Sequence, residues 1–221
     1  MSMLGCRRLF CAGIGILAIV VLSATCVAAP AAAATFPDRT TKVCQLPNGA
    51  LVPEANNPYQ NFAGLTQPMP YPPGYRISYN IQLISSFAAA VGQAVQAALQ
   101  MGVAGVTPGD VSNAQLFQWK LTAYHECTHA RTGAGSNAEV AVNCTAVLSM
   151  LNDGTFSGHD IDVQTLAMSS PGVGSFPQPF QYGGSLGAFW SLTMQCVNWA
   201  IQNPGVAPPP GVAPALALDP L

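Results

Sequence analysis

Between residues 77 and 202 the chain alternates long apolar-rich runs with short breaks bearing Gly and Pro, and the spacing inside the runs is helical. Residues 77–101 contain no proline. There Ile81, Ile84, Ala88, Val91, Val95 and Leu99 fall near one stripe, which predicts a long helix with one face on a core, ended by Gly102 and Gly105. Ser112-Asn113-Ala114-Gln115 reads as a capping box that opens a second helix running to about Thr132. It carries Leu116, Phe117, Trp119, Leu121 and Tyr124, and Gly133 and Gly135 stop it. The loop that follows is short, so the next helix, Asn137 to Asn152, is predicted to lie beside it. That third helix is apolar nearly all round, as buried helices are. A short helix over Ile161–Met168 and a last one over Ser185–Gln202 complete the set, the last with Phe189, Trp190, Met194, Val197 and Trp199 as core side chains. The expectation is a mainly α fold.

The rest of the chain is less regular. Residues 35–76 read as an irregular arm. Pro47-Asn48-Gly49 between two short apolar runs signals a hairpin there, and Pro53–Gly74 reads as a loop. A small N-terminal β-hairpin is thus the most sheet expected. The Pro- and Ala-rich tail, 203–221, is expected to be mobile.

Residues 1–34 read as a signal peptide. Arg7 and Arg8 precede an apolar run from Leu9 to Ala29, and Ala32-Ala33-Ala34 offers a small-residue cleavage site. The run is also long enough to anchor the chain in a bilayer, but Pro30 and the small residues after it favour cleavage. Cys26 follows Ser23-Ala24-Thr25, a poor match to a lipid-attachment signal. Cleavage after Ala34 leaves five basic and nine acidic residues, a net charge of −4. That balance excludes nucleic acid as a partner, and no membrane contact is expected once the signal is gone. Nothing in the sequence speaks to oligomeric state.

Four cysteines remain after cleavage: Cys44, Cys127, Cys144 and Cys196. An even count in an exported chain implies two disulfides. No Cys-x-x-Cys pair suggests a cysteine metal site. Cys127 lies about 200° round its helix from His125, and Cys144 about 140° from Glu139, so both point away from those residues. This geometry suggests Cys127–Cys144 and Cys44–Cys196.

Chemistry concentrates in one window. The chain has three Glu and three His, and two of each lie between His125 and Glu139. His125-Glu126-Cys127-Thr128-His129 is a His-Glu-x-x-His pattern. On a helix, residues four apart share a face, so both imidazoles can bind one zinc. Glu126, one step round, is placed to act as a base rather than a ligand. A third ligand is needed. The metzincin pattern would put Gly and His at positions that hold Thr132 and Gly135, so that family is excluded. Glu139 is the only Glu downstream. Ser136-Asn137-Ala138-Glu139 is itself a capping box that would engage this carboxylate with a backbone N–H. The shortage of any other ligand favours the metal.

With Glu139-Val140-Ala141-Val142-Asn143 added, the sequence resembles the gluzincin metallopeptidases over about residues 112–152. The resemblance implies a compact zincin-like helical domain over residues 77–202, with an active-site helix and a ligand helix. It implies zinc on His125, His129 and Glu139, Glu126 as general base, and Asn143 supporting a ligand histidine. Such enzymes carry a further donor for the oxyanion, for which His159 and Tyr182 are candidates. Asp160-Ile161-Asp162 offers too few oxygens for calcium. The function expected is a secreted zinc-dependent hydrolase acting on a peptide or protein. The alternative is a secreted cell-envelope binding or structural protein with a structural or vestigial zinc site. A metal-scavenging role is the third reading.

Overall fold

The computed structural model describes residues 54–56, 62–70, 73–175 and 184–217. The hairpin expected around Pro47-Asn48-Gly49, the signal segment, Cys44 and Tyr182 lie outside them.

Three strands come first: β1 (Glu54–Asn56), β2 (Gly64–Pro70) and β3 (Pro73–Tyr79). They form one sheet in the order β1-β3-β2, with β2 antiparallel to β3 and β1 parallel to it. The loop expected over Pro53–Gly74 is therefore mostly strand. Pro68 and Pro70 sit on β2, which among the described residues is an edge of the sheet, where a missing N–H is tolerated.

Helix α1 (Ile81–Gln100) starts later than its pattern suggested, because residues 77–79 belong to β3. The Asn80 side chain caps it by accepting from the Leu83 N–H at 3.0 Å. Ile84, Ala88, Val91 and Val95 form the buried stripe as expected. Helix α2 (Pro108–Thr132) begins four residues before the expected cap. The box that opens it is Thr107–Asp110: the Thr107 N–H and hydroxyl donate to one Asp110 carboxylate oxygen at 2.7 and 2.9 Å. Pro108 then occupies the first helical position, where its missing N–H costs nothing.

A single 3₁₀ turn (Ser136–Ala138) leads into α3 (Glu139–Asn152), whose residues 139–147 are all buried. Helix α4 (Gly158–Met168), the four-residue α5 (Pro171–Gly174) and α6 (Leu186–Gln202) complete the mainly α fold. The described part of the tail, residues 203–217, touches the helices. The Leu216 N–H donates to Thr145 Oγ1 on α3 at 2.8 Å, and Val212 packs against core side chains. Thr145 gives this apolar strap a polar anchor that the composition did not reveal.

Helix α2 divides the core in two. On one side Ala123, Cys127 and Ala130 pack under the sheet with Ile77, Tyr79 and Ile84. On the other, Phe117, Leu121 and Tyr124 join Val147, Met150, Ile161 and Trp190 from α3, α4 and α6. This division corrects the disulfide expectation. Cys144 pairs with Cys196, tying α3 to α6. Cys127 faces the sheet, in the other half of the core, and is itself disulfide-bonded. Turning away from the ligand face did not bring Cys127 and Cys144 together, because the back of α2 looks at the strands and not at α3.

Candidate metal centre

The last two turns of α2 bring His125 and His129 onto one face, ring centroids 4.9 Å apart. Gly133 then ends the helix in the left-handed conformation, at φ +67°, and its N–H returns to the His129 carbonyl. A side chain there would strain the turn that reverses the chain. The reversal carries Glu139, the first residue of α3, back against both histidines. His125 Nε2 lies 2.9 Å and His129 Nε2 3.5 Å from Glu139 Oε2, and the two Nε2 atoms are 3.2 Å apart. The cap reading of Glu139 thus gives way: the carboxylate serves the histidines.

Three ligand atoms around a tetrahedral zinc, each at about 2.0–2.1 Å, are separated by about 3.3–3.4 Å. The observed spacings straddle that value. The opposite ring nitrogens explain the convergence. His129 Nδ1 donates to the Ala134 carbonyl at 2.8 Å, and His125 Nδ1 lies 3.2 Å from Asn143 Oδ1. With both Nδ1 atoms protonated outward, both Nε2 atoms present lone pairs to each other and to a carboxylate. A proton can satisfy one such pair, but a metal cation satisfies all three atoms at once. His125, His129 and Glu139 therefore form a group that can hold a metal ion.

All three are largely buried, with side-chain exposures of 14, 11 and 6 %. With the imidazoles protonated and no metal bound, burial pushes the Glu139 pKa up, but hydrogen bonds from His125 and His129 and their positive charge outweigh it and leave it at about 2. Burial pulls the His129 pKa down, but Glu139 reverses this, and the net shift is upward.

Glu126 stands beside the cluster and outside it. The edge strand β2 crosses it. Thr66 Oγ1 lies 2.7 Å from Glu126 Oε2 and 2.9 Å from the Glu126 carbonyl oxygen. Gly64 also lies against it: a Cβ there would collide with the Glu126 carboxylate. Only glycine lets the strand lie on this carboxylate. Burial raises the Glu126 pKa above its ordinary value despite the nearby histidines and the Thr66 hydrogen bond.

Asn143 lies against His125, its Oδ1 3.2 Å from Nδ1. Tyr182 falls outside the described residues. His159 does not reach the centre: its Nε2 pairs with Asp110 Oδ1 at 3.0 Å. Asp110 lies fifteen residues before His125, about 22 Å along the same helix. His159 is thereby excluded as an oxyanion donor for this centre. The sequence reading missed Thr66, Gly64 and Thr193. Thr66 and Gly64 lay in a stretch read as loop. Thr193 had one signal, a hydroxyl on the buried α6 stripe between Trp190 and Val197.

No protein-family model, no curated protein and no solved structure matches the chain.

Proposed function

We propose that the protein is an exported zinc-dependent hydrolase of the gluzincin kind, cleaving peptide or other amide bonds. The observation that carries this reading is the convergence of His125 Nε2, His129 Nε2 and Glu139 Oε2, with the Glu126 carboxylate buried beside them. Two imidazoles and one carboxylate are a donor set of hydrolytic zinc sites that keep a fourth position open. When bound, zinc would polarise the scissile carbonyl and make a water molecule more acidic.

The chain's own residues supply the rest. Thr66 holds the Glu126 carboxylate in place through Oε2, and that carboxylate would accept a proton from the attacking water and return it to the leaving amine. Asn143 and the Ala134 carbonyl hold the two imidazoles with Nε2 available. Among the described residues β2 ends the sheet, so an extended backbone can pair with the same strand that covers Glu126. Export is supported by the charged and apolar parts of residues 1–34 and by disulfide bonding of Cys127, Cys144 and Cys196.

One observation favours a second reading, an exported binding or structural protein. Glu126 is only 5 % exposed, beneath a strand that substrate would have to share. Hydrolysis of a mixed peptide library by wild type and Glu126→Gln, with zinc quantified in each, separates the two. The hydrolase reading expects both proteins to carry zinc and the variant to lose about 100-fold or more of turnover. Equal turnover overturns Glu126 as base. Zinc in both with no turnover in either favours the second reading.

A further inference from the structure

We propose that Thr193 is a positioning residue of the metal centre, which sets the proton of His125 through the Asn143 amide. Thr193 sits on α6 and is fully buried. Its hydroxyl donates to the Phe189 carbonyl at 3.0 Å, which uses the one hydrogen it has. Towards Asn143 it can therefore only accept. The contact is Asn143 Nδ2 to Thr193 Oγ1, at 3.0 Å and buried. The amide NH₂ is thus drawn to α6, and Oδ1 is turned to His125 Nδ1, 3.2 Å away. An acceptor facing Nδ1 requires the proton there, and Nε2 is left with its lone pair.

The alternative state shows what Thr193 prevents. If Asn143 flipped, its NH₂ would face His125 Nδ1, and the ring proton would move to Nε2. An Nε2–H would then donate to Glu139 Oε2, 2.9 Å away, and the pair would close on itself without a metal. The two arrangements differ by one amide rotation, and Thr193 decides between them. The Cys144–Cys196 disulfide joins the same two helices, one residue beyond Asn143 and three beyond Thr193. It holds α3 and α6 at the separation the contact needs.

The consequence for zinc rests on the metal-centre reading, but the tautomer exists without metal and can be read by itself. The test uses the oxidised, metal-stripped mature chain labelled with ¹⁵N-histidine, at alkaline pH. With only three histidines in the sequence, His125 can be assigned by substitution. Wild type is expected to show the Nδ1–H form at His125. Thr193→Val keeps the shape and removes the acceptor. It is expected to shift the ring towards Nε2–H and to weaken zinc affinity, read by chelator competition, about 10- to 100-fold. Thr193→Ser is expected to restore both. An Nε2–H ring in wild type overturns the proposal even if the valine variant does not fold. A folded valine variant with the wild-type tautomer and affinity overturns it too. Failure of the hydrolase reading looks different: an Nδ1–H ring in a wild type that binds zinc and cuts nothing.

Discussion

Two histidine–carboxylate pairs stand near opposite ends of α2, and by distance alone they are the same object. His125 Nε2 is 2.9 Å from Glu139, and His159 Nε2 is 3.0 Å from Asp110. The surroundings separate them. The His125 side chain is 14 % exposed and the His159 side chain 50 %. At the first pair a second imidazole converges on the same carboxylate oxygen, and each Nδ1 faces an oxygen behind it. At the second pair the carboxylate already belongs to a helix cap, holding the Thr107 N–H and hydroxyl. A carboxylate near a histidine is common. What marks a candidate metal centre is several lone pairs aimed at one point on largely buried side chains.

The strongest way to break this comparison is to remove each half and measure metal. The protein is expected to purify with one zinc per chain. His125→Ala/His129→Ala should abolish it, and His159→Ala should leave it intact. Elemental analysis of the three proteins decides. Equal zinc in all three would mean the convergent cluster is no metal centre.

The sequence carried the three residues of the cluster well and their surroundings poorly. His125, His129 and Glu139 were legible because scarce residues recurred at helical spacing, and a short Gly-bearing break placed the next helix close. Asn143 came only from the resemblance to the gluzincin pattern, which sets an acid or amide four residues after the glutamate. The helices were legible from their stripes, though α2 began earlier than expected, since Thr-Pro-Gly-Asp looks like a turn until proline is given the first helical position. The sheet was not legible. Proline hides an edge strand, and nothing local in Gly64 or Thr66 tells that they lie on Glu126. The disulfide pairing failed for the same reason. Helical angle tells which way Cys127 points, but not what stands there.

Acid sharpens the comparison next. Glu139 has a folded-state pKa of about 2, below its ordinary 4.5. A depressed carboxylate contributes stability above its unfolded pKa and loses it as pH falls through the folded one. The metal-free protein should therefore lose about 3 kcal/mol between pH 4.5 and pH 2 from this group. Glu126 acts the other way, because its raised pKa makes protonation a relief. Urea unfolding of the metal-stripped protein across this window should show a steeper acid loss in wild type than in Glu139→Gln. Parallel curves would mean that the His125–His129–Glu139 cluster is not ionised as described.

The smallest effect is expected at the other pair. His159 is half exposed, so water screens its attraction to Asp110, and pairs of that kind are worth about 0–1 kcal/mol. Removing the imidazole leaves Asp110 with the two Thr107 donors that fix the start of α2. His159→Ala should therefore cost less than about 1 kcal/mol in urea unfolding. Asp110→Ala removes the cap itself and should cost more, about 0.5–2 kcal/mol. If His159→Ala proved the costlier of the two, the imidazole would be holding α4 to α2 more firmly than its exposure allows. The contrast between the buried cluster and the exposed pair would then have to rest on convergence alone.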